Sequence, residues 1–365
     1  MGTSETTTAT RRAPADQCYT PRGPADGSAD AAGATAEFLT AFRASAGTDG
    51  VMTFAEFMAL ALYDGRVGYY RRERQRVGRA PGTDFFTAET AGKFFGEIVV
   101  AACVTLLGGE KEAARHEFVE IGAEPAHSAH GGENGGALAG VAHPFSQVRV
   151  VRVGEPAALA GPCVVFSNEL FDAQPLRRFV RRGGAWRELG VALHGTTLGE
   201  VELGLVTEPW LPAAAPEGYI FDAPRAAARL VAEIAAQPWH GLFVACDYGK
   251  TFAALAHESP VGTARAYHRH TQSNDLLARP GEQDLTGHVC WDWLADALMA
   301  HNFTAAAVET QEAFFVRHAA GWLERVFAVE ARDPLSPRKR ALMQLLHPAQ
   351  MGQKFQVLHA RRAAG

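Results

Sequence analysis

Three apolar runs in this chain end abruptly in acidic or amide side chains: FVEIGAE at 118–124, VVFSNELFDAQP at 164–175 and LFVACDYGK at 242–250. Near-continuous hydrophobic runs of strand length are what a parallel sheet covered on both faces requires, and such sheets bind ligands at the carboxyl ends of their strands. The pattern predicts an α/β fold with its site at Glu120, Gly122, Asn168, Glu169, Asp172 and Asp247. Elsewhere the period changes. Thr53 followed by Glu56 has capping-box spacing, and Phe54, Phe57, Met58, Ala61 and Leu62 then recur at helical period. A second apolar helix is expected from about Phe94 to Leu107, after the aromatic and arginine-rich run GYYRRERQRVGRAPGTDFFTAET. Long loops of this kind carry lids and partner surfaces, although arginines on them more commonly form a solvated face.

The strand VRVVRV at 148–153 ends at Gly154 and Glu155, and nine residues, 154–162, separate it from CVVFSN. A parallel crossover normally takes about a dozen residues or more. The two strands are therefore expected either to run antiparallel or to be joined by a helix cut to a single turn. Before them, the glycine-rich stretch 122–147 offers only a weak helical segment around Gly136 to Val141. The run RRFVRRGGAWRELGVALHGTTLGEVELGLV reads as a three-stranded meander on one edge of the sheet, turning at Gly183-Gly184 and again at Gly195 to Gly199. Its Arg177, Arg178, Arg181 and Arg182 read as solvated hairpin positions, with docking of an acidic partner second. A helix from about Pro224 to Ala236 precedes the strand ending at Asp247. Residues 262–270 and 280–289 are expected to form a polar, turn-rich loop, followed by a helix from about Val289 to Asn302. Two late strand candidates, TAAAVET and FQVLHAR, remain, the second as an antiparallel sheet edge.

Composition narrows the class. With 365 residues, 47% hydrophobic content, a formal charge of -5 and a pI near 6.3, the chain can build a core but has no global basic field for nucleic acid or an anionic membrane. Its longest strongly apolar stretch, Ile98 to Leu107, is about half of what a spanning helix needs, so no membrane insertion is expected. Five cysteines, at 18, 103, 163, 246 and 290, form no CxxC pair and fit reduced, core-packed thiols. Residues 1–35 carry almost nothing large and apolar and read as a disordered tail. They hold more acid than a transit peptide and no secretory apolar region, which makes a cytoplasmic location the expectation. Residues 36–110 read as an N-terminal helical region and 111–365 as the α/β domain, with the β insertion at about 176–207. His268, His270 and His288 have no carboxylate or cysteine at ligand spacing, so no metal site is expected.

Taken in order, EIG after the first strand, SNELFDAQP after the central one, DYG after a later one, then YHRH and PGEQDLTGHV, resemble the MidA family of S-adenosylmethionine-dependent methyltransferases. FMALALYDGRVGYY, TDFFTA with FFGE, and the closing HPAQMGQKFQVL extend the resemblance over roughly residues 51–358. Mitochondrial relatives in that family methylate an arginine in a subunit of respiratory complex I and assist its assembly. The resemblance implies a Rossmann-like class I methyltransferase sheet with a β-meander insertion and extra N-terminal helices. It implies S-adenosyl-L-methionine as cofactor, a protein nitrogen, most directly arginine, as acceptor, and a respiratory-complex subunit as a candidate partner.

Such a site holds a sulfonium cofactor and aligns a nucleophile with its methyl group. Glu120 and Gly122 stand in the first loop, Glu155 is the candidate for the ribose hydroxyls, and Asn168 borders both cofactor and acceptor. Asn168, Glu169, Asp172 and Asp247 are the candidate catalytic residues, because a guanidinium acceptor needs carboxylates to orient it and to take a proton.

The chain departs from the family where relatives read EIGxGxG. Here Gly122 is followed by Ala123, Glu124, Pro125 and Ala126, while Glu89-Thr90 and Cys290 are milder differences. A side chain where the cofactor needs bare backbone predicts weak binding, at best about tens to hundreds of micromolar, roughly 5 to 6 kcal/mol. The alternative is a catalytically silent methyltransferase-fold protein acting as an assembly or binding factor. A nucleic-acid amino-methyltransferase would continue Asn168 with Pro-Pro-aromatic, and a hydrolase would flank Ser167 with glycines; this chain does neither.

Overall fold

Two threonines start the first helices of the computed structural model, which describes residues 33–71, 93–123, 135–330, 333 and 336–364. Thr35 Oγ1 accepts from the Phe38 amide at the head of α1 (Ala36–Ser45). After the short strand β1 (Val51–Thr53), Thr53 Oγ1 accepts from the Glu56 amide and Glu56 Oε2 accepts from the Thr53 amide at 2.7 Å. This is the expected capping box of α2 (Phe54–Tyr63), a cap that contributes about 1 kcal/mol. Helix α3 (Lys93–Leu107) begins within a residue of expectation, and the single turn α4 (Glu110–Ala113) leads on to the sheet. The tail up to residue 32, the loop 72–92 with Glu89 and Thr90, and Glu124, Pro125 and Ala126 lie outside the described residues.

Strands β2 (Glu117–Ala123), β3 (Gln147–Arg152) and β4 (Gly161–Asn168) come next. The chain then leaves for β5 (Arg177–Arg182), β6 (Ala185–His194), β7 (Thr197–Val206) and β8 (Ile220–Ala223). It returns through α5 (Arg225–Ala235) to β9 (Trp239–Asp247). The two-residue β10 (Gly249–Lys250), α6 (Phe252–His257), β11 (Arg265–His268), β12 (Thr271–Ser273), β13 (Asp284–Thr286) and the two-residue β14 (Val289–Cys290) lead to α7 (Trp291–Met299). Then follow β15 (Ala307–Thr310), three helices α8 (Gln311–His318), α9 (Ala320–Val329) and α10 (Pro337–Leu346), and β16 (Gln356–Arg362).

The central sheet has the order β15-β16-β9-β4-β2-β3. β3, β2, β4 and β9 are mutually parallel; β16 runs antiparallel to β9, and β15 antiparallel to β16. Its strands are apolar throughout because alternate side chains enter two different cores. Phe118, Val164, Phe166, Leu242 and Val244 pack against α3 and α8, while Val119, Val165, Phe243 and Ala245 pack against α5 and α7. Burying each such side chain stabilises the fold by about 1.5–3 kcal/mol, and Phe166→Ala would cost about 3–5 kcal/mol through the cavity it leaves.

The connection between β3 and β4 meets neither expected alternative. Both strands are parallel to β2 and flank it on opposite sides, and no helix lies between them. The eight linking residues turn at 153–155 and could span at most about 27 Å if fully extended, more than is needed to run back along a six-residue strand of about 20 Å and step over two strand spacings. Leu159 buries into the core on the way, and its amide donates to Gln237 Oε1 at 2.8 Å.

Several expectations need correction. The meander is no edge insertion: β5, β6 and β7 form a separate sheet with β1 and β8 added, of order β1-β6-β5-β8 with β7 on the other edge of β6. Its tight turn is at Gly183-Gly184, both with positive φ, as expected. Arg178 is buried there against Asp222 rather than solvated, and Arg177 pairs with Glu188 at 2.7 Å. The region read as polar loop contains the three-stranded sheet β12-β11-β13. β16 is interior, and β15 takes the edge. Residues 136–140 form turns without a helix, and α8, α9 and α10 had no counterpart in the sequence reading.

The N-terminal helices bury Phe38, Phe57 and Leu62 against Val191 of β6 and Leu285 of β13. Residues Ala32–Gly365 thus group as one compact unit across the expected boundary at 110. Among the described residues no helix is long and apolar enough to cross a membrane.

Candidate active site

The carboxyl ends of β2 and β4 open into a cavity with an empty volume of about 1000 Å³, part of it open to solvent. β3 leaves β2 on one side and β4 on the other, so the cavity sits where the strand order reverses, the usual ligand position in open α/β sheets. Three loops converge on it and are tied by backbone bonds. The Glu169 amide donates to Cys246 O at 2.9 Å, the Gly287 amide to Asp172 O at 2.9 Å, and the Val289 amide to Tyr248 O at 2.9 Å.

Four of the sequence candidates line the cavity: Gly122, Asn168, Glu169 and Asp172. Gly122 has φ +83 at a bulge in β2, and a Cβ there would meet Leu170 Cδ1 at 2.6 Å, so both backbone and space require glycine. Asn168 ends β4; its Nδ2 donates to Glu169 Oε1 at 3.3 Å, while its Oδ1 is buried with no partner. No helix follows for it to cap. Glu169 takes φ +52, an uncommon conformation for a non-glycine residue and one that clusters at functional sites.

Asp172 is 5% exposed, and burial, reinforced by the Asp247 charge, holds its carboxyl well above the usual range. Asp247 is fully buried behind the wall. Its carboxylate accepts from the amides of Phe171 and Tyr248, each at 2.8 Å, and of Asp172 at 3.3 Å. Burial still pushes it up to about 7, against those donors, which favour the charged form.

The other two candidates do not line the cavity. Glu120 points into the core, where its Oε2 accepts from the Ala137 amide at 2.7 Å and burial raises its pKa to about 7. Glu155 is exposed, and its carboxylate accepts from the Arg152 amide at 2.8 Å, closing its own turn.

Comparison with known proteins adds a decisive observation. A COG1565 superfamily member from Burkholderia thailandensis, inferred to be a methyltransferase and crystallised with S-adenosylhomocysteine, superposes with a TM-score of 0.75 over 89% of this chain and 92% of its own, at 24% identity. The fold is that of an S-adenosylmethionine-dependent methyltransferase. A second, native crystal structure of a COG1565 superfamily protein from the same organism agrees, with a TM-score of 0.68 over 89% and 91% of the two chains at 22% identity. Residues 142–308 match the model of a family described, by inference, as S-adenosyl-L-methionine-dependent methyltransferases. None of the curated proteins compared matches the chain.

On this methyltransferase fold the remaining walls come from residues that were not among the sequence candidates for the site. Tyr63 and Tyr70 stack with centroids 5.5 Å apart, and Tyr70 donates to Asp284 Oδ1 at 3.1 Å. Tyr248 and Tyr267 face the same space. His288 lines it too; burial, with Lys250 and Arg265 nearby, lowers its pKa to about 4, and its Nδ1 is buried without a partner. The buried Arg178–Asp222 pair positions this wall, because Asp222 also accepts from the amides of Thr263 and Ala264 at 2.6 and 2.8 Å. In the sequence Tyr63 and Tyr70 lie in FMALALYDGRVGYY, Tyr248 in DYG, Tyr267 in YHRH, and Asp284 and His288 in PGEQDLTGHV, motifs that mark the segments but not which side chains turn to the cavity.

Proposed function

We propose that this chain transfers a methyl group from S-adenosylmethionine to a protein nitrogen, with an arginine side chain as the acceptor, as a divergent MidA-type protein. One observation carries the reading: Glu169, Asp172 and Asp284 share a single cavity with the rings of Tyr63, Tyr70, Tyr248 and Tyr267. A guanidinium is planar, permanently charged and rich in N–H donors, and it binds both carboxylates and aromatic faces. The same resemblance makes a respiratory-complex subunit the candidate substrate. Among the described residues four cysteines are buried and free, which fits a reducing, cytosol-like compartment.

The cofactor side fits in part. The neighbour from Burkholderia thailandensis carries S-adenosylhomocysteine, and here Gly122, Val153 and Asn168 would hold the corresponding group. The unpartnered Asn168 Oδ1 suits an N–H donor of a bound ligand. When bound, S-adenosylmethionine supplies an electrophilic methyl group on a sulfonium. The acceptor nitrogen forms its bond to that carbon as the carbon–sulfur bond breaks, and the guanidinium gives up one proton per transfer. Glu169 and Asp284 orient the cation, and Asp172, whose raised pKa makes it a stronger base than an ordinary carboxylate, takes the proton.

A second reading is favoured by Glu155, whose carboxylate is spent on the Arg152 amide and away from the cavity: a methyltransferase fold kept for binding a partner. Titration calorimetry with S-adenosylmethionine and S-adenosylhomocysteine separates the two. Radiolabelled transfer to cell lysate, with protease and nuclease arms, then reads the acceptor. Saturable binding and protease-sensitive label are expected; label lost to nuclease overturns the protein acceptor, and absence of any binding leaves the second reading.

A further inference from the structure

At the edge of the central sheet, Glu309 of β15, His318 at the end of α8 and His359 of β16 converge. Glu309 pairs in register with Val357, two residues from His359, so the two side chains are diagonal neighbours on one face. Thr310 caps α8 directly after β15, its Oγ1 accepting from the Ala313 amide at 3.2 Å, and the helix carries His318 back over the strand. His318 Nε2 lies 2.9 Å and His359 Nε2 3.1 Å from the same atom, Glu309 Oε1. The three donor atoms all lie within 4.8 Å of one another.

We propose that Glu309, His318 and His359 form a binding site for a divalent metal of the zinc class. Two imidazole nitrogens and one carboxylate oxygen suit zinc and its first-row neighbours, whereas calcium and magnesium take oxygen ligands. Tetrahedral bonds of about 2.0–2.1 Å set ligand atoms roughly 3.3 Å apart, so on loading the two oxygen–nitrogen separations open by a few tenths of an ångström, and the two nitrogens, now within 4.8 Å of each other, settle at the same spacing. On loading, the ring protons sit on Nδ1 and the Nε2 lone pairs face the ion.

Arg317 Nη1 approaches the other oxygen, Glu309 Oε2, at 2.5 Å, but without hydrogen-bond alignment. Its side chain is 67% exposed, so water screens its charge and leaves Oε1 to the imidazoles. The fourth coordination position falls to solvent. A bound ion would fasten the edge strand β15 and helix α8 to β16. Ligand spacings of eight and forty intervening residues match no compact motif, which is why the sequence does not announce the site.

The test is titration of zinc chloride into the chelator-stripped full chain. One site per chain is expected, with a rise in Tm on loading, and His318→Gln or His359→Gln should each weaken binding by at least about tenfold, the loss typical of even a supporting residue. His194→Gln, at an exposed histidine of β6, should leave it unchanged. X-ray absorption on the zinc-loaded unmodified protein, independent of how the variants fold, should show two imidazole nitrogens at about 2.0–2.1 Å. No stoichiometric binding, binding indifferent to both histidine variants, or a first shell lacking two imidazoles would overturn the site.

Discussion

Asp247 Oδ2, at the end of β9, accepts a hydrogen bond from the Phe171 amide at 2.8 Å and so holds the turn after β4 against the neighbouring strand. Its partner oxygen accepts from Tyr248, at the start of the next loop. One buried carboxylate therefore registers two walls of the cavity. Removing it should loosen both while touching no ligand.

Asp247→Ala leaves those buried amides unsatisfied and should destabilise the protein by about 3 kcal/mol in chemical denaturation. Asp247→Asn keeps the shape but removes the charge that helps hold Asp172 up, so the pH–rate profile of transfer should begin its rise at lower pH. An unmoved profile in a folded Asp247→Asn protein would rule out this electrostatic link.

If Asp172 and Glu169, which line the cavity, orient the acceptor as proposed, Asp172→Asn or Glu169→Gln should remove methyl transfer while leaving cofactor affinity within a few-fold. Filter-bound label and calorimetry on the same preparations check the two halves. Equal loss of cofactor binding would assign them to the cofactor side of the cavity instead.

Gly122→Ala combines a left-handed backbone, costing roughly 1–2 kcal/mol, with a Cβ 2.6 Å from Leu170 Cδ1. The variant should lose stability and cofactor binding together. In the double variant with Leu170→Ala the 2.6 Å clash is removed, leaving the backbone strain and a 3.2 Å approach to Cβ of residue 170, so the two substitutions should couple favourably in a thermal-melt cycle.

Glu120, like Asp172 and Asp247, is a buried carboxyl whose titration links stability to pH. Unfolded, its carboxyl ionises near its ordinary value of 4.5; folded, it holds the proton up to about 7. Its contribution to stability is therefore complete below about 4.5 and is lost as the pH rises toward 7. Glu120→Gln retains an acceptor for the Ala137 amide and cannot ionise. The Tm of this variant relative to the unmodified protein should climb between pH 5 and pH 8, and a constant difference would show that Glu120 is not the titrating group.

Much of the site was legible because strand ends are a local property. An apolar run that stops at Asn168 or Asp247 marks where the backbone leaves the core, and Gly122 announces a position with no room for a side chain. What could not be read was direction. Glu120 and Gly122 are two residues apart, yet one carboxylate turns into the core to meet Ala137 while the glycine faces the cavity, a difference made by the bulge between Ile121 and Ala123. Glu155 has the right place in the chain for the ribose, but its turn consumes its carboxylate.

By itself the sequence determined the parallel α/β core, the two early helices and the strand-end chemistry, since hydrophobic period, capping spacing and abrupt polar stops are all written within a few residues of one another. Only the tertiary structure decided that the meander leaves the sheet to pair with β1 and β8, and that β3 and β4 flank β2 without a helix. It also brought Tyr63, Tyr248, Tyr267 and Asp284 to one cavity, and Glu309 to His318 and His359. These contacts join residues from nine to more than two hundred positions apart, and their geometry depends on how whole sheets pack, which no local pattern encodes.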